Sequence, residues 1–250
     1  MRSVTTALRV LETVAVHQPI GLSALTRLLG LPKTTVQRSL AAFAESGWIE
    51  QEAVTGRWQV GVRAFVVGSA VTSRGGLRPT ALPTMRDLCA EVGETVHLMV
   101  PADRTVVLIE RIDSPRPVRA VLPLGARGPL HATSNGKAVL AALPPGELDA
   151  YIEAGLDAVT SHTLTDPDRL RAEIDRTRTA GYAICREEAE EGVVSVAAAI
   201  RQSHGRPIAS LSISGPKSRM TSELLTSYGE KVHLAAEAIA VGLPLTVDPA

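Results

Sequence analysis

The sequence predicts an α+β protein of two domains, and three observations lead to this prediction. The chain has 250 residues, which exceeds one typical domain, and 45% of them are hydrophobic. Two short helical patterns around a tight turn, followed by a polar hairpin pattern, lie within residues 1–62. Residues 77–250 combine central strand patterns with helical patterns at both ends. We expect a linker over residues 63–76.

The first helix of the pair is predicted from its end signals and its apolar spacing. Ser23 is a natural N-cap. Gly30 tolerates the left-handed backbone that ends a helix, and Pro32 suits the first turn of the next one, where its missing N–H costs nothing. The apolar side chains expected on one face are Leu25, Leu28 and Leu29.

The second helix combines an apolar stripe with a polar outer face. Its core positions recur at i, i+4 and i+7 and are Val36, Leu40 and Phe43. Near its N-terminal end, the part of a recognition helix that enters the major groove, lie side chains of the types that bond phosphates and base edges. These side chains are Lys33, Thr34, Thr35, Gln37 and Arg38.

A two-stranded wing is predicted after this helix. Residues 48–60 alternate apolar and polar side chains around the turn at Thr55 and Gly56, with Arg57 near the tip. Two helices, a tight turn and a hairpin form a winged helix-turn-helix, a fold that binds double-stranded DNA. The alternative is a small helical core element with an ordinary solvated face. We favour DNA binding because turn chemistry, spacing, polar face and wing all agree.

The charge of the chain is unevenly distributed. Lys and Arg number 26, as do Asp and Glu, so the net charge is zero. Residues 1–63 contain seven basic and four acidic residues, so they carry about +3 and the remainder about −3. Because so few charges neutralise few phosphates, we expect a dimer or a larger oligomer that binds repeated half-sites.

The chain resembles the IclR-type bacterial transcriptional regulators in segments that follow the order of that family. Segments 4–12 and 29–36 are similar to the first helix and to the turn and recognition helix of the family. Segments 128–141, 181–198 and 210–216 are similar to its effector domain. The resemblance covers nearly the whole chain and implies a winged helix-turn-helix, a linker helix and a GAF-like effector-binding domain. It also implies dimers or dimers of dimers.

The predicted linker is an apolar run, Ala64 to Ser73, which Gly75 and Gly76 end. Its β-branched valines would suit a buried strand as well, and the resemblance decides for a helix. Because an exposed apolar helix is unfavourable, we expect it to pack against the copy in a partner subunit.

The second domain is expected to have a mainly antiparallel sheet. Hairpin-like turns at 102–103 and 204–206 join neighbouring strands. The predicted strands are 95–100, 105–112, 117–124, 182–186, 193–201 and 207–214. The predicted helices are 80–92, 136–142, 145–154, 166–181 and 221–243.

The segment from His131 to Lys137 is the expected ligand site. It leads into an apolar helix, and the free N–H groups and dipole of a helix N-terminus attract a carboxylate, so we expect a small organic acid. The resemblance implies effector-binding roles for Ser134 and Asn135 on the loop, Ser195 on one strand, and Ser212 and Ser214, which share a face, on another. Val118 and Ala120 are the implied apolar wall. Ser195 and Cys185 depart from the residues common in the family, so the effector is not named.

Each of these residues also has a structural interpretation. A serine on a buried strand commonly bonds nearby backbone instead of a ligand. His131 is interpreted as a buried imidazole bonded to a carbonyl. The acidic run 187–191 is interpreted as a solvated loop or helix end, with anchoring of a pocket residue by Glu187 or Glu188 as the alternative.

Catalysis is not expected. A phosphate-binding GxxxxGK[ST] loop would need glycine at 131 and Ser or Thr at 138, where the chain has His131 and Ala138. No nucleophile-elbow glycines surround Cys185 or Ser195. No metal and no cofactor are expected, because Cys89 and Cys185 lack metal-ligand spacing. The alternatives are a ligand-binding or DNA-binding protein without coupling, or an enzyme on a GAF-like domain.

A cytoplasmic protein without membrane contact is expected. No uncharged apolar run reaches the ~20 residues that a membrane helix needs. Arg9 and Glu12 interrupt the N-terminal region before the core of a signal peptide could form.

Overall fold

The computed structural model describes residues 2–72, 76–201 and 205–244. The chain divides into two compact units, Met1–Arg74 and Gly75–Ala250. The predicted end of the linker at Ser73 and Gly75, and His204 of a predicted turn, lie outside the described residues. Across the described ranges, no helix is both long and apolar enough to cross a membrane.

The first unit is a winged helix-turn-helix, as predicted. Side chains from its helices and hairpin form one core, which contains Val10, Val14, Ile20, Leu25, Val36, Leu40 and Ile49. Its described elements are α1 Arg2–His17, α2 Leu22–Leu29, α3 Lys33–Glu45, β1 Ile49–Gln51, β2 Trp58–Val60 and α4 Val62–Thr72. The linker region is therefore helical up to Thr72.

The turn between α2 and α3 follows the predicted chemistry only in part. Gly30 has φ 63° and donates its N–H to the carbonyl of Thr26, as expected for a glycine that ends a helix. The expected N-cap role of Ser23 is wrong, because α2 begins one residue earlier and its N-cap is Gly21. Pro32 is the N-cap of α3 rather than a residue of its first turn.

Leu28 does not belong to the core, contrary to the sequence prediction. Its side chain is 56% exposed, whereas Leu25 is fully buried and Leu22 and Leu29 are half-buried against the core. At about 100° per residue, Leu22, Leu25 and Leu29 fall within roughly 60° of the helix circumference, and Leu28 lies about 60° beyond Leu25. Because α2 is short and packs on α1 and α3, it buries only the narrow stripe of Leu22, Leu25 and Leu29.

The second unit is an α+β domain with an antiparallel sheet, as predicted. The strand order in the sheet is β5-β4-β3-β8-β7-β6. The described helices are α5 Leu77–Val92, α6 Ser134–Ala142, α7 Pro145–Glu153, α8 Pro167–Ala180 and α9 Ser222–Gly242. The strands are β3 Thr95–Ala102, β4 Thr105–Ile112, β5 Arg127–Pro129, β6 Ala183–Arg186, β7 Val193–Arg201 and β8 Pro207–Pro216.

The two faces of this sheet carry different layers. On one face, α5 and α9 pack on apolar side chains of β3, β7 and β8 and form the larger core. On the other face, α6, α7 and α8 pack on β4 and the end of β3 around Leu108, Leu140 and Leu170. The face under α6 is lined by small and polar side chains, which leaves room for the site described below.

The strand predicted at 117–124 is wrong, because this stretch is irregular and the next strand is β5. Pro117 and Pro123 have no N–H to donate to a neighbouring strand. Backbone carbonyls of this stretch instead accept hydrogen bonds from arginine side chains: Arg111 donates to Leu122, and Arg219 donates to Val118 at 2.8 Å. The segment 113–126 is therefore held by these side chains and, at its C-terminal end, by backbone hydrogen bonds of Gly125 and Ala126 with Leu108 of β4.

Candidate DNA interface and effector cavity

The outer face of α3 presents the polar residues expected from the sequence. Lys33, Thr34, Gln37 and Arg38 are exposed, and Thr35 is half-buried. This orientation follows from the other side of the same helix, where Val36 and Leu40 are buried and Phe43 packs on the core.

The N-terminus of α3 has no side-chain cap. Pro32 contributes only its carbonyl, which accepts the N–H groups of Thr35 at 2.9 Å and Val36 at 3.2 Å. The N–H groups of Lys33 and Thr34 have no partner within the helix and lie at the positive end of its dipole. With the ammonium of Lys33 beside them, these groups suit a phosphate.

The wing is attached firmly to the rest of the first unit. Trp58 exchanges backbone hydrogen bonds of 2.8 and 3.0 Å with Ile20, and Gln18 Oε1 accepts the N–H of Val60 at 2.8 Å. Arg57 precedes β2 and is exposed. The hairpin therefore holds a cationic side chain on a fixed support.

A cavity of about 160 Å³ lies in the second unit, between the N-terminal end of α6 and the sheet. Arg127 and Glu190 are its charged lining residues. Its polar lining is formed by His97, Thr133, Ser134, Asn135, Ser195 and Ser214. Its apolar lining includes Met99, Ala120, Leu122, Val159 and Val193. This distribution, mostly apolar with a few convergent polar groups, is typical of a small-molecule site.

Small residues allow α6 to lie close to the sheet. Ala138 packs against Ala183 and Ala197, and a Cβ at Gly136 would overlap the backbone of Leu130. The helix can approach this closely only because position 136 is glycine. The N-terminal end of α6 is thereby held against the cavity.

This helix end keeps unused backbone donors. Thr133 is the N-cap, and its Oγ1 accepts the N–H of Gly136 at 3.0 Å. The N–H groups of Ser134 and Asn135, the first two residues of α6, have no partner within the helix. Because both residues line the cavity, their N–H groups and the helix dipole favour an anionic ligand group there.

The pocket residues implied by the resemblance are brought together in part. Ser134 Oγ lies 2.7 Å from Ser195 Oγ, and Asn135 Nδ2 donates to Ser210 Oγ at 3.1 Å. Ser214 lines the cavity, whereas Ser212 is fully buried beneath its lining. Ser210, which the sequence did not single out, is fully buried outside the lining and holds the side chain of Asn135.

The structure separates the two residues of the expected apolar wall. Ala120 lines the cavity, but Val118 is 67% exposed and lies outside the lining. The expectation that Val118 forms part of the apolar wall of the site is therefore wrong. The reason is the missing strand: without the regular alternation of a β-strand, Val118 and Ala120 do not share a face.

His97 was not expected in the site, yet its side chain lines the cavity from β3. The imidazole is 2% exposed, and Nδ1 lies 3.3 Å from Ser214 Oγ. Burial, together with the charge of Arg111, lowers the pKa of His97 to about 4, so the ring is neutral at pH 7. The alternation of Thr95, His97 and Met99 along the predicted strand was the signal that could have found it.

A buried ion pair supports the cavity from behind. Lys137 is fully buried, and its Nζ lies 2.6 Å from Glu188 Oε1 and 3.6 Å from Glu173 Oε1. Burial raises the pKa of Glu188, and the ammonium of Lys137 opposes this shift. The pair joins α6 and α8 to the turn before β7, and the neighbouring residues Ala189 and Glu190 line the cavity.

His131 has a structural role. Its Nδ1 lies 2.8 Å from Tyr151 Oη and its Nε2 lies 2.9 Å from the carbonyl oxygen of Asp157. Cys89 and Cys185 are buried free thiols. Among the described residues, no group of three or more His, Cys, Asp or Glu side chains could hold a metal ion.

Comparisons with known proteins match both units. The family model described as "IclR helix-turn-helix domain" matches residues 3–53, and the one described as "Bacterial transcriptional regulator IclR C-terminal" matches residues 69–241. The chain is 34% identical over 245 residues to the transcriptional repressor IclR of Escherichia coli strain K12, an alignment that covers 96% of this chain and 89% of that protein.

Solved structures agree over nearly the full length. The crystal structure of Thermotoga maritima IclR has a TM-score of 0.74 at 27% identity and covers 96% of this chain and 98% of that chain. An IclR homolog from Microbacterium hydrocarbonoxydans, complexed with 4-hydroxybenzoate, has a TM-score of 0.81 at 28% identity, with coverages of 96% and 98%. These relatives are regulators rather than enzymes. The chain belongs to the IclR family and is a DNA-binding transcriptional regulator with a C-terminal effector domain.

Proposed function

We propose that this regulator changes its affinity for operator DNA when a small organic acid binds in the cavity at α6. The observation that carries the proposal is the N-terminus of α6, where the N–H groups of Ser134 and Asn135 meet a cavity of about 160 Å³. Ser195 and Ser214 add hydroxyl groups to the same lining. The relative complexed with 4-hydroxybenzoate supports an acid of this size.

The proposed DNA-contacting residues lie on α3 and the wing. Lys33 and Thr34 would bond a phosphate with backbone and side chain, while Gln37 and Arg38 lie where base edges are contacted. Thr35 completes the α3 set, and Arg57 supplies a phosphate contact from the wing.

The proposed assembly is a homodimer or a dimer of dimers. Val62, Phe65 and Val66 on α4 are 61% to 76% exposed in the single chain, which is unfavourable unless another surface covers them. A homodimer also doubles the small positive net charge that the DNA-binding region presents to DNA, and its two copies fit paired half-sites. Because operator DNA is its partner, we place the protein in the cytoplasm.

The proposed coupling is a population shift. Effector binding would favour one of two arrangements of the paired DNA-binding heads, and the spacing between these heads would then match the half-sites better or worse. The domain boundaries proposed for this mechanism are 1–62 for the DNA-binding domain, 63–76 for the linker and 77–250 for the effector domain.

The test is fluorescence anisotropy with the intergenic DNA upstream of the gene. The protein is titrated into labelled DNA at several salt concentrations and in the presence of unlabelled, unrelated DNA. We expect tight binding that unrelated DNA does not compete away and that weakens steeply with salt, since phosphate contacts release counterions.

The same assay, repeated with saturating small carboxylic acids, tests the coupling. An acid that binds the protein and changes its operator affinity supports the proposal. If an acid binds but operator affinity stays constant at saturating acid, the proposed coupling is contradicted. The protein would then bind DNA and ligand independently. Loss of sequence-specific binding under all of these conditions would contradict the operator role.

A further inference from the structure

Two buried polar atoms beside the cavity have no hydrogen-bond partner within the described residues. They are Nε2 of His97, a residue that is 2% exposed, and Oγ of Ser212, a residue with no exposed surface. The two residues are direct cross-strand neighbours on β3 and β8. Because buried polar groups in native proteins are nearly always paired, unpaired atoms at a cavity indicate a partner that enters it.

The chemistry of these atoms restricts that partner. A neutral imidazole carries one N–H and one lone pair, and its Nδ1 lies near Ser214 Oγ at 3.3 Å. Nε2 is therefore a donor or an acceptor, according to the tautomer, and the hydroxyl of Ser212 can be either. Neither atom supplies a positive charge, so both suit an uncharged hydroxyl or carbonyl group better than a second carboxylate.

The space available limits the size of the partner. The cavity volume is about 160 Å³, and an apolar protein cavity of about 150 Å³ accommodates benzene. Met99, Leu122 and Val193 provide apolar walls between the polar groups. One small ring or a short chain would fill the cavity.

We propose that His97 Nε2 binds an uncharged hydroxyl or carbonyl group of the effector, whose carboxylate lies at the N-terminus of α6. This inference rests on the proposed function, because it needs an acid in the same cavity. His97 is then the residue that distinguishes hydroxy and oxo acids from the parent acids that lack the second polar group.

The experiment measures binding to the full-length protein by isothermal titration calorimetry, without DNA. The probes are two matched pairs, 4-hydroxybenzoate with benzoate and lactate with propionate. The variants are His97→Leu, which removes the ring nitrogens, and His97→Gln, which keeps a polar group on β3. Circular dichroism and thermal unfolding establish that each variant is folded.

We expect the wild type to bind the hydroxy acid of at least one pair about five- to tenfold more tightly than its parent acid, the range of one neutral hydrogen bond. His97→Leu is expected to bring the ratio of the two affinities to within about twofold of one, and His97→Gln to restore part of the preference. In protein that contains ¹⁵N-labelled histidine, the NMR resonance of His97 Nε2 is expected to shift when the hydroxy acid is added and not when the parent acid is added.

The possible failures are distinguishable. If acids bind but the wild type shows no preference, or if His97→Leu weakens both members of a pair equally, the role of His97 is overturned and the acid site stands. If none of the four acids binds, the inference fails together with acid binding in the proposed function.

Discussion

At the scale of single residues, the ion pair of Lys137 and Glu188 is buried. Its desolvation costs free energy, and its contacts fix the turn that lines the cavity. Removing two charges from water is expensive, and only short contacts such as their 2.6 Å distance offset that cost. Thr160 and Thr163 donate their hydroxyls to the backbone carbonyl of Glu188, so the pair is part of a larger network. The network keeps the turn that lines the cavity in one place.

We predict that Lys137→Met lowers the free energy of unfolding by about 3–5 kcal/mol, because it leaves Glu188 buried without its cation. Urea unfolding followed by circular dichroism measures this loss. The double variant Lys137→Met/Glu188→Leu should recover most of it. The matched control is Arg171→Ala, which removes an ion pair with Asp149 that is exposed on both sides and should cost far less. Equal losses for the buried and the exposed pair would contradict the prediction.

Two site residues could be identified from the local sequence, whereas Ser195, Ser214 and Ala120 were identified from the family resemblance. Ser134 and Asn135 stand at the start of a recognisable apolar helix, so their place in the lining could be anticipated. The alternation along β3 placed His97 on the face of Thr95 and Met99, but one histidine in an apolar strand usually has a structural role, so its part in the site was missed. Its significance depends on the register that sets it beside Ser212, which only the sheet provides.

At the scale of elements, we expect DNA binding to depend most on α3, which carries most of the proposed DNA contacts. We predict that Arg38→Ala weakens operator binding and reduces the salt slope by about one unit for each subunit bound to DNA, because each subunit loses one cationic contact. The fold should stay intact, since Arg38 is exposed. Anisotropy at four salt concentrations measures both quantities.

The matched control for Arg38 is Arg169→Ala, which also removes an exposed arginine from a helix, here α8 in the second unit. Its operator affinity and salt slope should equal those of the wild type. If Arg38→Ala behaves like this control, α3 is not the recognition helix.

Element prediction succeeded where periodicity and end signals agree. The bounds of β4 and β7 are those expected, because their alternating or continuous apolar runs are interrupted neither by proline nor by glycine. The stretch 117–124 has strand-like valines, but its prolines and the arginine side chains that bind its carbonyls decide its conformation. These long-range hydrogen bonds have no signature in the local sequence.

At the scale of the whole molecule, oligomerisation decides whether a weakly basic DNA-binding domain can function. We predict that the wild type sediments as a homodimer or a larger assembly and that Phe65→Glu shifts it to the monomer, because a charge would replace an exposed apolar side chain on α4. Sedimentation velocity measures the shift. Val54→Glu, which charges an apolar residue on the wing that is more exposed than Phe65 (93% against 76%), is the control and should leave the assembly unchanged. A wild type that is monomeric at micromolar concentration would contradict the prediction.

The general organisation of the chain could be predicted because the two halves differ in pattern and in charge. Helical periodicity with turn signals indicated the first unit, and strands flanked by helices indicated the second. The cavity itself could not be predicted in the same way, because residues from β3, α6, β7, β8 and the segment 113–126 form it together.

The irregular segment 113–126 has a practical consequence for the redesign of this regulator as a biosensor. Ala120 and Leu122 line the cavity from a stretch that makes no strand pairing, so their side chains can be exchanged without disturbing a sheet register. A library confined to these two positions would vary the size of the pocket while its anchors, Arg111, Arg116 and Arg219, keep the segment in place. Ligand preference could thus be varied at Ala120 with little effect on folding, whereas Leu122 also packs on the core around Leu108 and needs a replacement of similar size.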